Sequence, residues 1–129
     1  MIMEIVNIVD APAAIGTYSQ AVKTQGLLFI SGQIGLDPKT MEMVSSDFAV
    51  QARQVFSNLK ALALAGNTDL CNTVKLTVYL KDLSCFSDLN DIMGTFFSKP
   101  YPARAALQVS GLPKQALIEV DAIVAIPES

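Results

Sequence analysis

The apolar residues of this chain recur with two different periods. From Phe48 to Ala65 they fall at Phe48, Ala52, Val55, Phe56, Leu59, Leu62 and Ala63, the i, i+4, i+7 stripe of a helix with one buried face. Ser46 or Asp47 stands where an N-cap is needed, and Gly66 is a natural residue for the first position past the end. A second helix is expected from a cap at Ser84 to about Phe97, with the stripe Leu89, Ile92, Met93, Phe96 and Phe97. Pro100 and Pro102 prevent its continuation.

Other segments follow the two-residue period of strands. Val74, Leu76, Val78 and Leu80 alternate with Thr73, Lys75, Thr77 and Tyr79, which predicts a strand over Thr73–Leu80 with one buried face. Ile118, Val120, Ala122, Val124 and Ile126 alternate with Glu119, Asp121, Ile123 and Ala125 in a last strand over Leu117–Ile126. Ala103–Val109 reads as a strand, and Ser110-Gly111-Leu112-Pro113-Lys114 as the loop behind it. Near the start, Met3–Val9 is rich in β-branched residues and is stopped by Asp10-Ala11-Pro12. Ala21–Thr24 and Leu27–Ser31 flank Gln25-Gly26, a hairpin turn. The order β-β-β-α-β-α-β-β predicts an α+β domain over residues 1–129, with both helices on one face of the sheet. The other face also carries apolar side chains, Ile123 and Ala125 among them.

Composition gives that second face a meaning. Hydrophobic residues make up 51% of the chain and charged residues only 16%, against about 25% charged in ordinary soluble domains. A small domain with so few charges has apolar surface to cover, and self-association is the expected cover. No apolar run reaches the ~18–20 residues of a membrane span. The net charge is −3, and nine basic side chains, only two of them arginine (Arg53 and Arg104), are scattered singly. That disfavours nucleic acid as a partner. The start of the chain lacks the features of a secretory or transit segment. Cys71 and Cys85 lack CxxC spacing, so free thiols in a reducing, cytoplasmic setting are expected.

The chain has no histidine. Ser-His-Asp and Cys-His catalysis, HExxH zinc sites and imidazole proton transfer are therefore excluded. Arg104 is the most informative remaining group. It opens a predicted strand among small neighbours, Ala103, Ala105 and Ala106, and a guanidinium in apolar surroundings needs an anion. That anion is either a local carboxylate or the carboxylate of a substrate held by the planar fork. Glu119 lies between Ile118 and Val120. It is either an outward-facing carboxylate beside Asp121 or one whose proton affinity is shifted for chemistry. Tyr18, Ser19 and Gln20 bring polar groups to a loop beside Gly16. At the end of a strand, Gly32 in Ser31-Gly32-Gln33 marks either a bulge or a close approach of a ligand to backbone. Asn90 sits on the second helix.

Together these segments resemble the reactive-intermediate deaminases, the RidA or YjgF type. The resemblance runs through Ala11-Pro12, Ile15-Gly16, Tyr18-Ser19-Gln20-Ala21 and Phe29-Ile30-Ser31-Gly32-Gln33. It continues through Tyr101-Pro102-Ala103-Arg104, Leu112-Pro113-Lys114 and Ile118-Glu119-Val120-Asp121-Ala122. It implies a chorismate-mutase-like fold, a mixed sheet backed by two helices, with three copies assembled around a central sheet barrel and sites in the clefts between subunits. It implies hydrolysis of 2-imino acids and their enamine tautomers, such as 2-aminoacrylate, 2-iminopropanoate and 2-iminobutanoate, to 2-keto acids and ammonia. It implies no metal or cofactor.

By the same resemblance Arg104 clamps the carboxylate and Glu119 serves the attacking water. Tyr18, Ser31, Gly32, Gln33 and Asn90 line the substrate. Two positions depart from many members: Ala106 stands where a cysteine is common, and Met93 where a tyrosine is common. Three rival readings are a non-enzymatic binding or chaperone-like trimer, an RNA-directed ribonuclease or translation inhibitor, and a chorismate mutase.

Overall fold

The structure, a computed structural model, describes residues 2–128. Its strands are β1 (Glu4–Val6), β2 (Ala21–Thr24), β3 (Leu27–Gln33), β4 (Thr73–Leu80), β5 (Ala103–Gln108) and β6 (Ile118–Ala125). The helices are α1 (Phe48–Ala65) and α2 (Phe86–Phe96). One six-stranded sheet has the order β1-β2-β3-β6-β4-β5. Only β4 and β5 run parallel, joined through α2; every other pair is antiparallel. The expected mixed sheet with two helices is therefore present.

α1 packs on β3 and β6, and α2 packs against α1. Between them lie Val55, Phe56, Leu59 and Leu62 from α1, Leu89 from α2, and Leu76, Val78, Ile118, Val120 and Val124 from the sheet, all wholly buried. The α1 stripe is the one its period predicts, and Asp47 is the cap, its Oδ2 accepting from the Val50 N–H at 3.1 Å. Two polar residues share the buried face. Gln51 donates to the Ser45 carbonyl and accepts from the Leu117 N–H, both at 2.8 Å. Asn58 donates to the Leu36 carbonyl at 3.1 Å. These amides fasten two irregular segments, before β6 and after β3, onto the helix.

Several boundaries differ from the periodic reading, each for a local reason. β1 ends at Val6 rather than Val9, because the Ile8 backbone pairs with a side chain instead of a strand: its N–H donates to Gln20 Oε1 at 2.7 Å and its carbonyl accepts from Gln20 Nε2 at 3.0 Å. Val74 is exposed, not buried. The β4–β6 register slips between Thr73 and Lys75, and this bulge turns Thr73 inward in its place. Gly66 is not left-handed (φ −84°); Asn67 takes that role with φ 65°. Glycine is required at 66 for space, since a Cβ there would lie 2.7 Å from Leu28 Cδ2. Ser84 is not the cap of the second helix. Asp82 accepts from the Ser84 N–H at 2.8 Å and starts a short 3-10 turn, after which α2 begins at Phe86.

On β6, Ile118, Val120, Ala122 and Val124 face the helices, and Glu119, Asp121, Ile123 and Ala125 face the open side, as their alternation predicts. The open side also presents Phe29 (40% exposed), Ile5 (58%) and Leu107 (41%). No helix among the described residues is long and apolar enough to cross a membrane.

Candidate active site

The polar residues singled out in the sequence gather in two cavities. The first, of about 490 Å³, lies where β3 leaves the sheet and β6 enters it. It is lined by Tyr18, Ser31, Gly32, Gln33, Lys114 and Glu119, among others. β3 carries a bulge here: Ile30 pairs with Ala122 and Gln33 with Val120, so Ser31 and Gly32 together face the single residue Asp121. The extra residue turns the Gly32 backbone toward the neighbouring strand. A Cβ on Gly32 would lie 2.7 Å from Glu119 Oε2. Gly32 lies in a bulge, as one of its two readings has it, and the group packed against it within the chain is the Glu119 carboxylate.

Burial raises the Glu119 carboxyl above the usual carboxylate range, and the nearby Asp121 carboxylate adds to the rise. The surrounding polar groups are partly committed. Ser31 donates its hydroxyl to the Ser19 carbonyl at 2.6 Å, and Gln33 donates to the Ser31 carbonyl at 3.0 Å. The buried Gln20 amide nitrogen lies 2.8 Å from the Pro12 carbonyl and 3.2 Å from that of Ala11, pinning the segment that forms the cavity wall. Gln20 thus shapes the site and is not free to bind within it. Tyr18 is half exposed; its oxygen accepts from the Ile15 N–H at 3.3 Å, which leaves the phenolic proton available. Lys114 has a left-handed backbone, φ 54°, and so does Gln115, φ 58°. Two such residues in succession hold the turn before β6 in a strained shape beside the cavity.

The second cavity, of about 460 Å³, is lined by Asn90, Met93, Gly94, Phe97, Tyr101, Pro102 and Arg104. Arg104 lies on the edge strand β5 directly beside the fully buried Leu76, so it projects on the helix side of the sheet. Three residues on one face of α2 meet it. Arg104 Nη1 donates to Asn90 Oδ1 at 2.7 Å and lies 3.5 Å from Met93 Sδ. The guanidinium carbon sits 4.9 Å from the centre of the Phe86 ring, a cation–π contact. No carboxylate among the described residues forms an ion pair with Arg104; the ion pair present there is Lys23–Glu4. Its Nε and Nη2 have no partner among the described residues, so one edge of the fork is open to a ligand.

The structure therefore unites Glu119 with Tyr18, Ser31, Gly32 and Gln33, and unites Arg104 with Asn90. It does not bring the two sets together within one chain. Residue type and motif alone do not mark Phe86 or Lys114 as site residues. Phe86, Asn90 and Met93 stand at i, i+4 and i+7, a spacing that already placed them on one helix face.

The profile of the family described as endoribonuclease L-PSP matches residues 8–126. The chain belongs to the RidA family. It is 50% identical over 117 residues to the RutC family protein y4sK of Sinorhizobium fredii, covering 91% of this chain and 93% of that one. It is 42% identical over 123 residues to the 2-iminobutanoate/2-iminopropanoate deaminase of Homo sapiens, covering 95% and 90%. Among solved structures it is similar to RidA from the Antarctic bacterium Psychrobacter sp. PAMC 21119, with a TM-score of 0.92 and 48% identity over 95% of this chain and 99% of that chain. The resemblance read from the RidA motifs is thus a membership.

Proposed function

We propose that this chain hydrolyses reactive 2-imino acids, such as 2-iminobutanoate and 2-iminopropanoate, to 2-keto acids and ammonia. We further propose a homotrimer in which Arg104 of one copy completes the Glu119 cavity of the next. The observation that carries this is the separation of the two groups. Arg104 presents an open guanidinium edge on the helix side of an edge strand, and Glu119 stands on the opposite face of the sheet, in a cavity with no arginine. Each is half of a site. Contact between the edge of one copy and the open face of another joins the halves, and it also covers Phe29, Ile5 and Leu107. The human relative's name supports the reaction.

The chemistry asks little of the protein. A protonated imine is already a strong electrophile. Arg104 holds the substrate carboxylate by Nε and Nη2 and so fixes the α-carbon. Glu119, ionised, takes one proton from a water as the water oxygen bonds to that carbon and the C=N electrons move to nitrogen. The protonated Glu119 then returns the proton to the amine. The C–N bond then breaks as the hydroxyl oxygen gives its proton to the ionised Glu119 and forms the C=O bond; ammonia leaves and takes that proton directly or through water, which returns Glu119 to its ionised form. A carboxyl with a raised proton affinity suits both steps, as base and then as acid. The two free cysteines support a reducing, cytoplasmic setting.

Mixed assembly tests the reading. Arg104→Ala and Glu119→Gln are each expected to be inactive in 2-keto acid release from a coupled threonine dehydratase reaction. Co-refolded in equal amounts, they form sites of which about a quarter carry both native groups, if the groups come from different copies. Recovery toward a quarter of the parental rate is expected. A mixture as inactive as its components overturns the shared site. A parental protein that fails to accelerate keto-acid release overturns the reaction.

A further inference from the structure

The open face of β6 holds a second carboxylate beside the proposed base. Asp121 lies two residues from Glu119 and so projects on the same side. On β4, Tyr79 pairs with Glu119 and Thr77 pairs with Asp121. Tyr79 does not keep to its own rung. Its hydroxyl reaches diagonally and donates to Asp121 Oδ2 at 3.1 Å. One phenol thus spans both carboxylates, opposite Glu119 at its backbone and bonded to Asp121 at its tip.

Within one chain the other groups facing Glu119 do not offset this arrangement, and the Arg104 that a neighbouring copy is proposed to supply acts alike on the parent and the variants below, leaving the signs of their shifts unchanged. Ser31 and Gly32 on β3 are uncharged. Tyr18 also lines the cavity. Lys114 lines the cavity from the turn before β6, Lys75 lies further along β4, and Lys81, just past β4, donates to the Ser110 carbonyl; none of the three forms an ion pair with Glu119 or Asp121 among the described residues. Burial and then Asp121 hold the Tyr79 hydroxyl above its ordinary range, so it stays a donor.

We infer that Tyr79 and Asp121 are positioning residues for Glu119: a carboxylate anchored by a phenol, held one rung from the base, that governs when the base takes and releases its proton. The inference rests on the proposed hydrolytic role of Glu119. It makes the two residues act with opposite sign. Asp121→Asn removes a like charge at almost constant shape, so Glu119 ionises at lower pH. Tyr79→Phe removes the hydroxyl that partly quenches Asp121, so Glu119 feels more of that charge and ionises at higher pH. The phenol acts through Asp121, so the double variant behaves as Asp121→Asn alone.

The test is a carbon-13 NMR titration of the Glu119 side-chain carboxyl in the full chain, beside the pH dependence of kcat/KM for 2-iminobutanoate. The midpoint is expected to fall in Asp121→Asn and rise in Tyr79→Phe. On the acid limb the rate should rise in the first and fall in the second, each by less than about tenfold. Either variant carries the test if the other does not fold, because each has its own sign. Midpoints that stay within the scatter of the titration, or that move in the same direction, overturn the pair. If the NMR midpoints move as expected while the protein hydrolyses no imine, the pair stands and the hydrolytic role of Glu119 falls.

Discussion

The two cavities are nearly equal in volume, about 490 and 460 Å³, and are built in opposite ways. The Glu119 cavity is made from central strands. Its walls are pinned from inside by Gln20, Gln51 and Asn58, and its carboxylate lies against a glycine with no room for a side chain. The Arg104 cavity lies on an edge strand, and its cation is steadied only by the outer face of a single helix. The first is a set of finished contacts. The second holds an arginine on one side and leaves its other edge open. A raised proton affinity needs burial, which the interior of one chain supplies. A carboxylate fork needs exposed donors, which an edge supplies. The two requirements conflict at a single place in so small a domain, and the proposed sharing of the site between copies would satisfy both.

Breaking the finished half has the largest expected effect. Glu119→Gln should lower kcat by about 10²–10⁴-fold, the usual worth of a general base, with 2-ketobutyrate binding by calorimetry little changed. Parental turnover in that variant makes Glu119 structural. The same substitution has a stability signature. A carboxyl whose folded proton affinity is raised gives stability that is fully present below the ordinary glutamate range and is lost as pH rises through its folded midpoint. Glu119→Gln should therefore melt higher than the parent at neutral pH, and the difference should vanish in acid.

Breaking the open half comes next. Arg104→Lys keeps the charge and loses the planar fork. About a hundredfold loss of kcat/KM is expected, mostly in KM, and an unchanged value rejects the two-bond clamp. Gly32→Ala sharpens the contrast, because it pushes on the carboxylate without altering any charge. Its Cβ would meet Glu119 Oε2, so kcat should fall about tenfold and stability by about 1–3 kcal/mol of overpacking. A fully active variant shows that the carboxylate has room to move. The smallest effect belongs to Phe86→Leu, which removes the ring behind the guanidinium. A cation–π contact at an exposed site contributes about 0.5–1 kcal/mol, a two- to fivefold rise in KM with melting temperature nearly unchanged.

The regular elements were legible wherever one period held over many residues. The bounds of α1 and β4, and the two faces of β6, follow from spacing alone, because each element buries one face and each spacing selects one secondary structure. Legibility failed where a single contact overrode the period. Gln20 ends β1 by taking the Ile8 backbone for itself. A bulge exposes Val74. Leu28, across the core, sets the need for glycine at 66. At the site, Arg104, Glu119, Tyr18 and Asn90 could be named from residue type and motif. Phe86 and Tyr79 could not, since each acts on a residue from a different element.

By itself the sequence determined the chemical vocabulary and the family. The absence of histidine excludes imidazole chemistry, and the RidA motifs place the chain in its family. Only the tertiary structure decided that these two groups stand on opposite faces of the sheet, that the carboxylate lies against Gly32, and that Tyr79 ties Asp121 beside it. The reason is physical. Residue types and periods are local properties of the chain. Which face a strand presents to which neighbour depends on register, and register is set by strand pairing between residues as far apart as Gln33 and Val120.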